Sequence, residues 1–367
     1  MDERLVVGSK EKVEIIDLRK YRTGSDLTGW RRTASYPMLW MLSLIYGAGV
    51  SLWRALPYKA KVPPIPVVSV GSIAVGGTGK TPLTIYLAEK LASMSRVCVV
   101  SRGWRRKSRE KFILVSDGTR IHCDPEECGD EPYMIAKRLP QVVVVVAKDR
   151  NLAIFNALRL TKPDVAILDD GFQCRQIAKA IEIVSIDDRV ICRRPQFLPL
   201  GIMRESLRSI KSDSIVIVLE FDKVDAQIFD QIRKRFTIFR AEVRSHLVDG
   251  EALNEIDPIS VGGKRILALS GIANPSRFEE TCLRIGIRPV ASIRLDDHTW
   301  YERNIIESIV EIMKEKRCEA LVTTEKDIHK LPSSLRNISF VVRMSIRILE
   351  EDDLLDRINK VVRNYVS

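Results

Sequence analysis

A chain of 367 residues with 45% hydrophobic and 29% charged side chains is not disordered, and 19 Gly and 16 Pro exclude collagen-like or low-complexity sequence. Its length points to about two domains, since single cores stop growing near about 250–300 residues. The seven Cys are scattered and odd in number, which gives no disulfide framework and points to a reducing compartment; the net charge of +11 favours anionic partners without choosing among nucleic acid, nucleotide and membrane.

Residues 1–30 are polar and mixed in charge, with a short apolar patch at Val13–Ile16. They lack a signal-peptide layout, because an apolar stretch begins only after Arg31 and Arg32. From Thr33 to Trp53 no residue is charged, Trp40, Tyr46 and Trp53 lie within, and Arg31, Arg32, Arg54, Lys59 and Lys61 flank it. A spanning helix needs about 20 predominantly apolar residues. This stretch is barely that long and is diluted by Ser35, Pro37, Ser43, Gly47, Gly49 and Ser51. Aromatic residues between cationic flanks predict a helix lying in the membrane interface; the alternative is the partly buried first helix of a soluble domain.

Ile65–Val70 is a Val-rich run of the kind that forms a buried parallel strand, and a periodic helix opens at Gly79-Lys80-Thr81 and runs to about Met94. Between them lies Ala74-Val75-Gly76-Gly77-Thr78-Gly79-Lys80-Thr81, a phosphate-binding loop with Ala at its first position instead of the usual Gly. Gly76, Gly77 and Gly79 let backbone N–H groups crowd around phosphate oxygens, and the helix N-terminus adds partial positive charge. Lys80 is placed to reach the β- and γ-phosphates of ATP and Thr81 to ligate Mg²⁺. The agreement of strand, loop and helix favours this over a Gly-rich turn with a chance Lys-Thr. Val75 occupies the position where many partitioning ATPases carry a signature Lys.

Asp164–Leu168 reads as another buried strand, ending in Asp169-Asp170-Gly171-Phe172-Gln173. Carboxylates at a strand's carboxyl end are where a phosphate-loop enzyme holds its metal or positions its substrate, so Asp169 and Asp170 are candidate metal ligands, against the alternative of a plain Asp-Asp-Gly turn. Gly129-Asp130-Glu131-Pro132 precedes a helix over Tyr133–Leu139 and, by itself, reads as an N-terminal cap. Ser101-Arg102-Gly103-Trp104 follows the strand Arg96–Val100 and, with Arg105, Arg106 and Lys107, is either a phosphate-binding edge or a solvated basic loop. His298 lies in Asp296-Asp297-His298-Thr299-Trp300, between a strand-like run and a helix; an acid beside His suits proton transfer, and a polar surface His is the equal alternative. His122, Cys123 and Cys128 lack zinc spacing.

In this order VGGTGKTP, SRGW, GDEP, DDGFQ, PLGIMRE, DDHTW and TTEKD, spread from about Pro64 to Asp327, resemble the tetraacyldisaccharide 4′-kinase (lipid A 4′-kinase) family. The resemblance implies two α/β/α sandwich domains, the first a P-loop NTPase-like parallel sheet, joined by a two-stranded linker, with an N-terminal helix at the membrane. Mapped here, that is a polar leader over 1–32, an interface helix over 33–58, a kinase core over 59–240, a second α/β domain with linker strands over 241–348 and a C-terminal helix over 349–367. The implied reaction moves the ATP γ-phosphate to the 4′-hydroxyl of a tetraacylated glucosamine disaccharide 1-phosphate, at the cytoplasmic face of the bacterial inner membrane. By position, Asp130 matches the family's catalytic carboxylate and His298 the histidine paired with it, Asp169 and Asp170 its paired acids, and Arg204 and Glu205 a polar pair near the site. Arg102 joins them as a substrate-binding candidate. Cys174 stands where the family usually has His, SRGW replaces the commoner SRGY, and the leader is longer than the family's.

Two rivals remain at this point: a phosphate-loop kinase for a soluble hydroxyl substrate, and a non-catalytic nucleotide switch docked on a membrane. A nucleic-acid partner rests on net charge alone and is set aside, given the strand-end acids. Nothing in the pattern specifies an oligomer.

Overall fold

The computed structural model describes residues 13–18, 30–191, 196–221, 224 and 226–366, so most of the polar leader lies outside the described residues. The chain forms two compact units. The smaller takes residues 1–21 and 246–343, and the larger takes 22–245 and 344–367.

A short strand β1 (Glu14–Asp17) comes first, within the expected leader. It pairs in parallel with a strand 291–294 of the smaller unit, and Ile16 packs on that unit's core. Helix α1 (Trp30–Ala55) follows. It begins before Thr33 because Arg31 and Arg32 are good helix formers, and stops short of residue 58 because Pro57 drives its predecessor out of helical geometry.

The larger unit then alternates strand and helix: β2 (Val67–Gly71), α2 (Lys80–Ala92), β3 (Val97–Ser101), β4 (Ile113–Asp117), α3 (Pro125–Cys128), α4 (Asp130–Arg138), β5 (Val143–Val146), α5 (Arg150–Thr161), β6 (Val165–Leu168), β7 (Ile181–Ile186), β8 (Ile215–Leu219), α6 (Ala226–Arg233) and β9 (Thr237–Asp249). Its strands lie in the order β9-β8-β7-β2-β6-β3-β5-β4, parallel except for β4 at the edge. β2, β3, β5, β6 and β8 are buried along their whole length, which is why they are Val/Ile-rich and show no polar/apolar alternation. The order reverses at β2, which sits between β6 and β7, and such a switch point opens a crevice at the strands' carboxyl ends.

The chain leaves this unit along β9. It continues in the smaller unit with β10 (Glu255–Ile256), β11 (Ile266–Ser270), α7 (Pro275–Arg284), β12 (Ala291–Arg294), α8 (Arg303–Glu315), β13 (Ala320–Thr324), α9 (Ser333–Arg336) and β14 (Ser339–Ile348). Here the order β1-β12-β11-β13-β14 is wholly parallel. Phe278 and Cys282 of α7 pack in one core cluster, Ile309 and Met313 of α8 in another. β14 returns the chain to the larger unit, where α10 (Glu351–Val366) buries Leu354, Ile358 and Val362 in the same core as α2. Tyr86 and Lys90 of α2 both donate to Glu351, at 2.8 and 2.6 Å.

A charged cluster sits inside the smaller unit. Asp327 has no exposed surface and accepts from the Gly271 N–H at 2.9 Å, the Thr324 hydroxyl at 2.8 Å and the Lys330 ammonium at 3.2 Å. Removing one member of a buried ion pair strands the other, at about 3–5 kcal/mol. Asp327→Ala is expected to lower stability by about that amount, read by chemical denaturation against Lys330→Arg, which keeps the charge.

Candidate active site

Four strands of the larger unit deliver the candidate residues from their carboxyl ends: β2 the phosphate loop, β3 Arg102, β6 the paired acids and β5, through residues 147–149, the start of α5. The phosphate loop runs from Ser72 to the start of α2. Gly79 caps α2 with φ 69°, a left-handed backbone that favours glycine, and a Cβ there would push against the end of the Leu219 side chain at 2.4 Å. Ser185 of β7 fixes the loop by donating to the Thr78 carbonyl at 2.6 Å. The Val75 N–H donates to the Ile202 carbonyl at 2.9 Å, and the Arg204 N–H to the Ile73 carbonyl at 2.7 Å. The PLGIMRE segment thus lies along the phosphate loop. The Lys80 ammonium donates to the Thr78 hydroxyl at 3.2 Å and stands 3.9 Å from Asp170; Thr81 is half-buried one residue on.

Asp169 and Asp170 diverge. Asp169 is buried and accepts from the Thr84 hydroxyl of α2 at 3.0 Å. Burial first, then the charges of Asp170 and Glu131, push its carboxyl up to about 6. Asp170 has a left-handed backbone, φ 50°, which turns its side chain the other way. Both its oxygens take Arg204, at 2.9 and 2.7 Å, and Arg204 also donates to the Ser72 carbonyl at 3.0 Å. Burial alone would raise the Asp170 carboxyl; hydrogen bonds from Arg204 and the charge of Lys80 outweigh it and hold the carboxyl below its ordinary value.

Asp130 is the first residue of α4, only 4% exposed, where the helix N-terminus favours a carboxylate. The 101–104 loop lies against the turn before it: Gly103 has φ 65°, and a Cβ there would meet Val146 at 2.4 Å and the Cys128 carbonyl at 2.8 Å. Arg102 is exposed, with its guanidinium 5.7 Å from the Trp104 ring. Glu205 does not face the phosphate loop. It is 1% exposed and takes Arg54, from the last turn of α1, at 2.5 and 2.9 Å. Arg54 also donates to the Phe172 carbonyl at 3.3 Å and lies 4.8 Å from that ring.

His298 belongs to the smaller unit. Its φ is 63°, its side chain is mostly buried, and Nε2 lies 3.6 Å from Asp297. Trp300 and Tyr301 next to it face the Lys330 ammonium, each ring 5.6 Å away, so DDHTW and TTEKD share one cluster.

The sequence model of tetraacyldisaccharide-1-P 4′-kinases matches residues 35–363. The chain belongs to that family. It is 33% identical over 310 residues to the tetraacyldisaccharide 4′-kinase of Desulfotalea psychrophila, covering 80% of this chain and 87% of that one. With the enzyme of Aquifex aeolicus it shares 31% over 331 residues, 90% and 99% of the two chains. A crystal structure of LpxK from Aquifex aeolicus in complex with ATP superimposes with a TM-score of 0.71 at 27% identity, again over 90% and 99%. The α/β architecture with a large, mostly parallel sheet is therefore shared with a solved tetraacyldisaccharide kinase.

Two side chains at this 4′-kinase site escaped the sequence. Arg54 reads as a membrane-flanking cation, and nothing local ties it to Glu205, 151 residues away. Arg150 opens α5 and is 5% exposed; a Val-rich strand followed at once by Lys148-Asp149-Arg150 was the only signal.

Two outcomes are expected. Without metal or nucleotide, Asp169 binds its proton more tightly folded than unfolded, so the stability it lends is present at low pH and lost as pH rises through about 6. Asp169→Asn removes that loss and should gain on the parent by up to roughly 3 kcal/mol between about pH 4 and 7.5, measured by urea unfolding. Arg54→Ala unpairs a buried Glu205 and should lower stability by about 3 kcal/mol and raise the KM for ATP; Arg54→Lys should recover part of both in the same assays.

Proposed function

We infer that this chain is the ATP-dependent kinase that phosphorylates the 4′-hydroxyl of a tetraacylated glucosamine disaccharide 1-phosphate in lipid A biosynthesis. The family match carries the reaction, and the observation that carries it to these residues is Lys80 set beside Asp170 and Arg204 at the sheet's switch point. We assign the triphosphate to residues 74–81: loop amides bind its oxygens, and Lys80 neutralises charge between the β- and γ-phosphates. The Thr81 hydroxyl with Asp169 and Asp170 is an all-oxygen donor set, which suits Mg²⁺. When bound, Mg²⁺ supplies charge neutralisation on the transferring phosphate.

We assign Asp130 as the base. Its carboxylate takes the proton of the 4′-hydroxyl as that oxygen bonds to the γ-phosphorus and the bond to the β-bridging oxygen breaks, which leaves ADP. Support is its burial at a helix start and its place in GDEP. His298, the DDHTW histidine, is assigned to work with Asp130 on that proton. Arg102 and Arg204 are assigned to anionic groups of the reactants, and Glu205 to holding α1.

The acceptor is a lipid, and α1 suits the membrane interface. Met38, Trp40, Met41, Leu44 and Ile45 are exposed, while Ser43 and Gly47 on another side meet Phe197. Among the described residues no helix is long and apolar enough to cross a membrane. We place the protein peripherally on the cytoplasmic face of the inner membrane.

The test is transfer of labelled γ-phosphate, with Mg²⁺, to the disaccharide 1-phosphate in detergent micelles; no transfer by a protein that binds ATP would overturn the reading. Asp130→Ala and His298→Ala are each expected to lower kcat by about 10²–10⁴-fold with the Kd for ATP within a few-fold of the parent. Near-parental turnover in both would remove the assignment.

A further inference from the structure

We propose that Cys123 and Cys128 are a redox switch: a small-molecule disulfide oxidises them to an intramolecular disulfide, which slows the kinase by shifting the start of α4. The effect on rate rests on the reading of Asp130 as the base.

The two thiols are brought together by the way α3 begins. Asp124 is its N-cap, and Asp124 and Glu127 close a capping box. Cys123 and Cys128 therefore hold the position before the cap and the fourth helical position, the pair that a hydrophobic staple packs together. Both lie on one core cluster, and their side chains hydrogen-bond each other. The partnership is unequal. Cys123 is half-buried, whereas Cys128 has no exposed surface. The hydrogen bond from Cys128 holds the Cys123 thiol below its ordinary value, against burial and the charges of Glu127 and Asp124. The same bond, with burial, raises the Cys128 thiol. The Arg106 guanidinium faces Cys128, and its buried Nη1 has no hydrogen-bond partner among the described residues. An accessible thiolate beside a buried thiol is the layout of an attacking and a resolving cysteine. Cys98 and Cys282 show the contrast, since burial pushes each thiol up to about 12.

The Cys123 thiolate attacks one sulfur of the small disulfide, whose S–S bond breaks, and one small thiolate leaves. That step removes the thiolate that held the Cys128 proton. Cys128 then gives its proton to solvent and attacks the Cys123 sulfur, and the second small thiolate leaves. Two protein thiols are oxidised to one disulfide, and the small disulfide is reduced to two thiols. In a reducing compartment such a bond is transient, as a sensor requires.

Cys128 is the last residue of α3, and Asp130 opens α4 two residues on. The Gly129 N–H donates to the Pro125 carbonyl at 2.8 Å, and Gly129 takes φ 101°. The Cys128 carbonyl lies against Gly103, where a Cβ would meet it at 2.8 Å. Replacing a contact between the sulfurs by a covalent bond pulls on Cys128. The pull passes to the peptide that sets Asp130 and to the 101–104 loop packed on it. The phosphate loop follows β2 and lies outside this path.

The experiment incubates the full chain with glutathione disulfide. It reads peptide masses, kcat in the micellar transfer assay, and the Kd for ATP with Mg²⁺ by calorimetry. A Cys123–Cys128 disulfide is expected, with kcat lowered at least about tenfold, the Kd for ATP within about twofold, and the parental rate restored by dithiothreitol. Cys123→Ser is expected to keep the parental rate and lose the response. No bond between the two, or glutathione left on Cys123 without exchange, overturns the pair and leaves it a hydrophobic staple. A bond with unchanged kcat overturns the switch, as does a loss of rate that Cys123→Ser retains. If Cys123→Ser does not fold, Cys128→Ala decides in the same way. If the parent transfers no phosphate, or Asp130→Ala keeps its rate, the kinase reading or the base assignment fails by itself. The switch is then judged on the peptide masses and on hydrogen exchange at amides 129–134: a change on oxidation supports it, and none overturns it.

Discussion

Asp170 and Arg204 hold the site together. A parallel sheet offers its ligand only the ends of strands, and loops there drift unless something ties one to the next. Arg204 grips both oxygens of Asp170 and the Ser72 carbonyl, so one guanidinium joins the loop after β6, the loop after β2 and the PLGIMRE segment. Two unit charges about 4 Å apart are worth about 4 kcal/mol at an effective dielectric constant near 20. The Asp170 side chain is 41% exposed, so solvent screens much of that attraction, but Arg204 and Lys80 together still hold its carboxyl below the ordinary value. Lys80, 3.9 Å from the same carboxylate, faces an acid whose charge Arg204 has already met.

The same tie explains how a helix outside the sheet reaches the phosphate loop. Glu205 follows Arg204 in the chain and is held by Arg54, and Arg54 also bonds Phe172, two residues after Asp170. Arg175 reinforces the junction by donating to the Trp53 and Leu56 carbonyls and stacking 4.8 Å from the Trp53 ring. The last turn of α1 is thus bonded to two of the three segments that Arg204 joins, the loop after β6 and the PLGIMRE segment. The end of α1 is thereby tied rigidly to the segments that flank the phosphate loop.

Legibility followed locality. The phosphate loop was readable because its glycines, Lys80 and Thr81 are contiguous and because strand and helix propensities agree around them. Three of the buried strands, β2, β3 and β6, were readable as short apolar runs. The 33–53 stretch was readable as a helix, but its true start at Trp30 was not, since a change in charge is not a helix stop. β1 was not readable: four residues inside a polar segment become a strand only by pairing with β12, some 275 residues away. Arg54 and Arg150 were hidden for the same reason. Their partners are fixed by topology, and a lone Arg in sequence looks like surface charge.

The two adjacent acids show what tertiary structure adds to a motif. In sequence Asp169 and Asp170 are equivalent, and either could be the metal ligand or the structural one. One left-handed residue separates their fates: φ 50° at Asp170 turns its carboxylate to Arg204, while Asp169, one step earlier, points to Thr84 on α2. Their proton affinities then move in opposite directions, up to about 6 for Asp169 and down for Asp170. A carboxylate raised by burial is stabilised in its charged form by an arriving cation more than one already paired with arginine. Of the two, Asp169 is therefore the acid whose ionisation an arriving Mg²⁺ would shift most, while Asp170 would meet the ion with a charge already shared with Arg204.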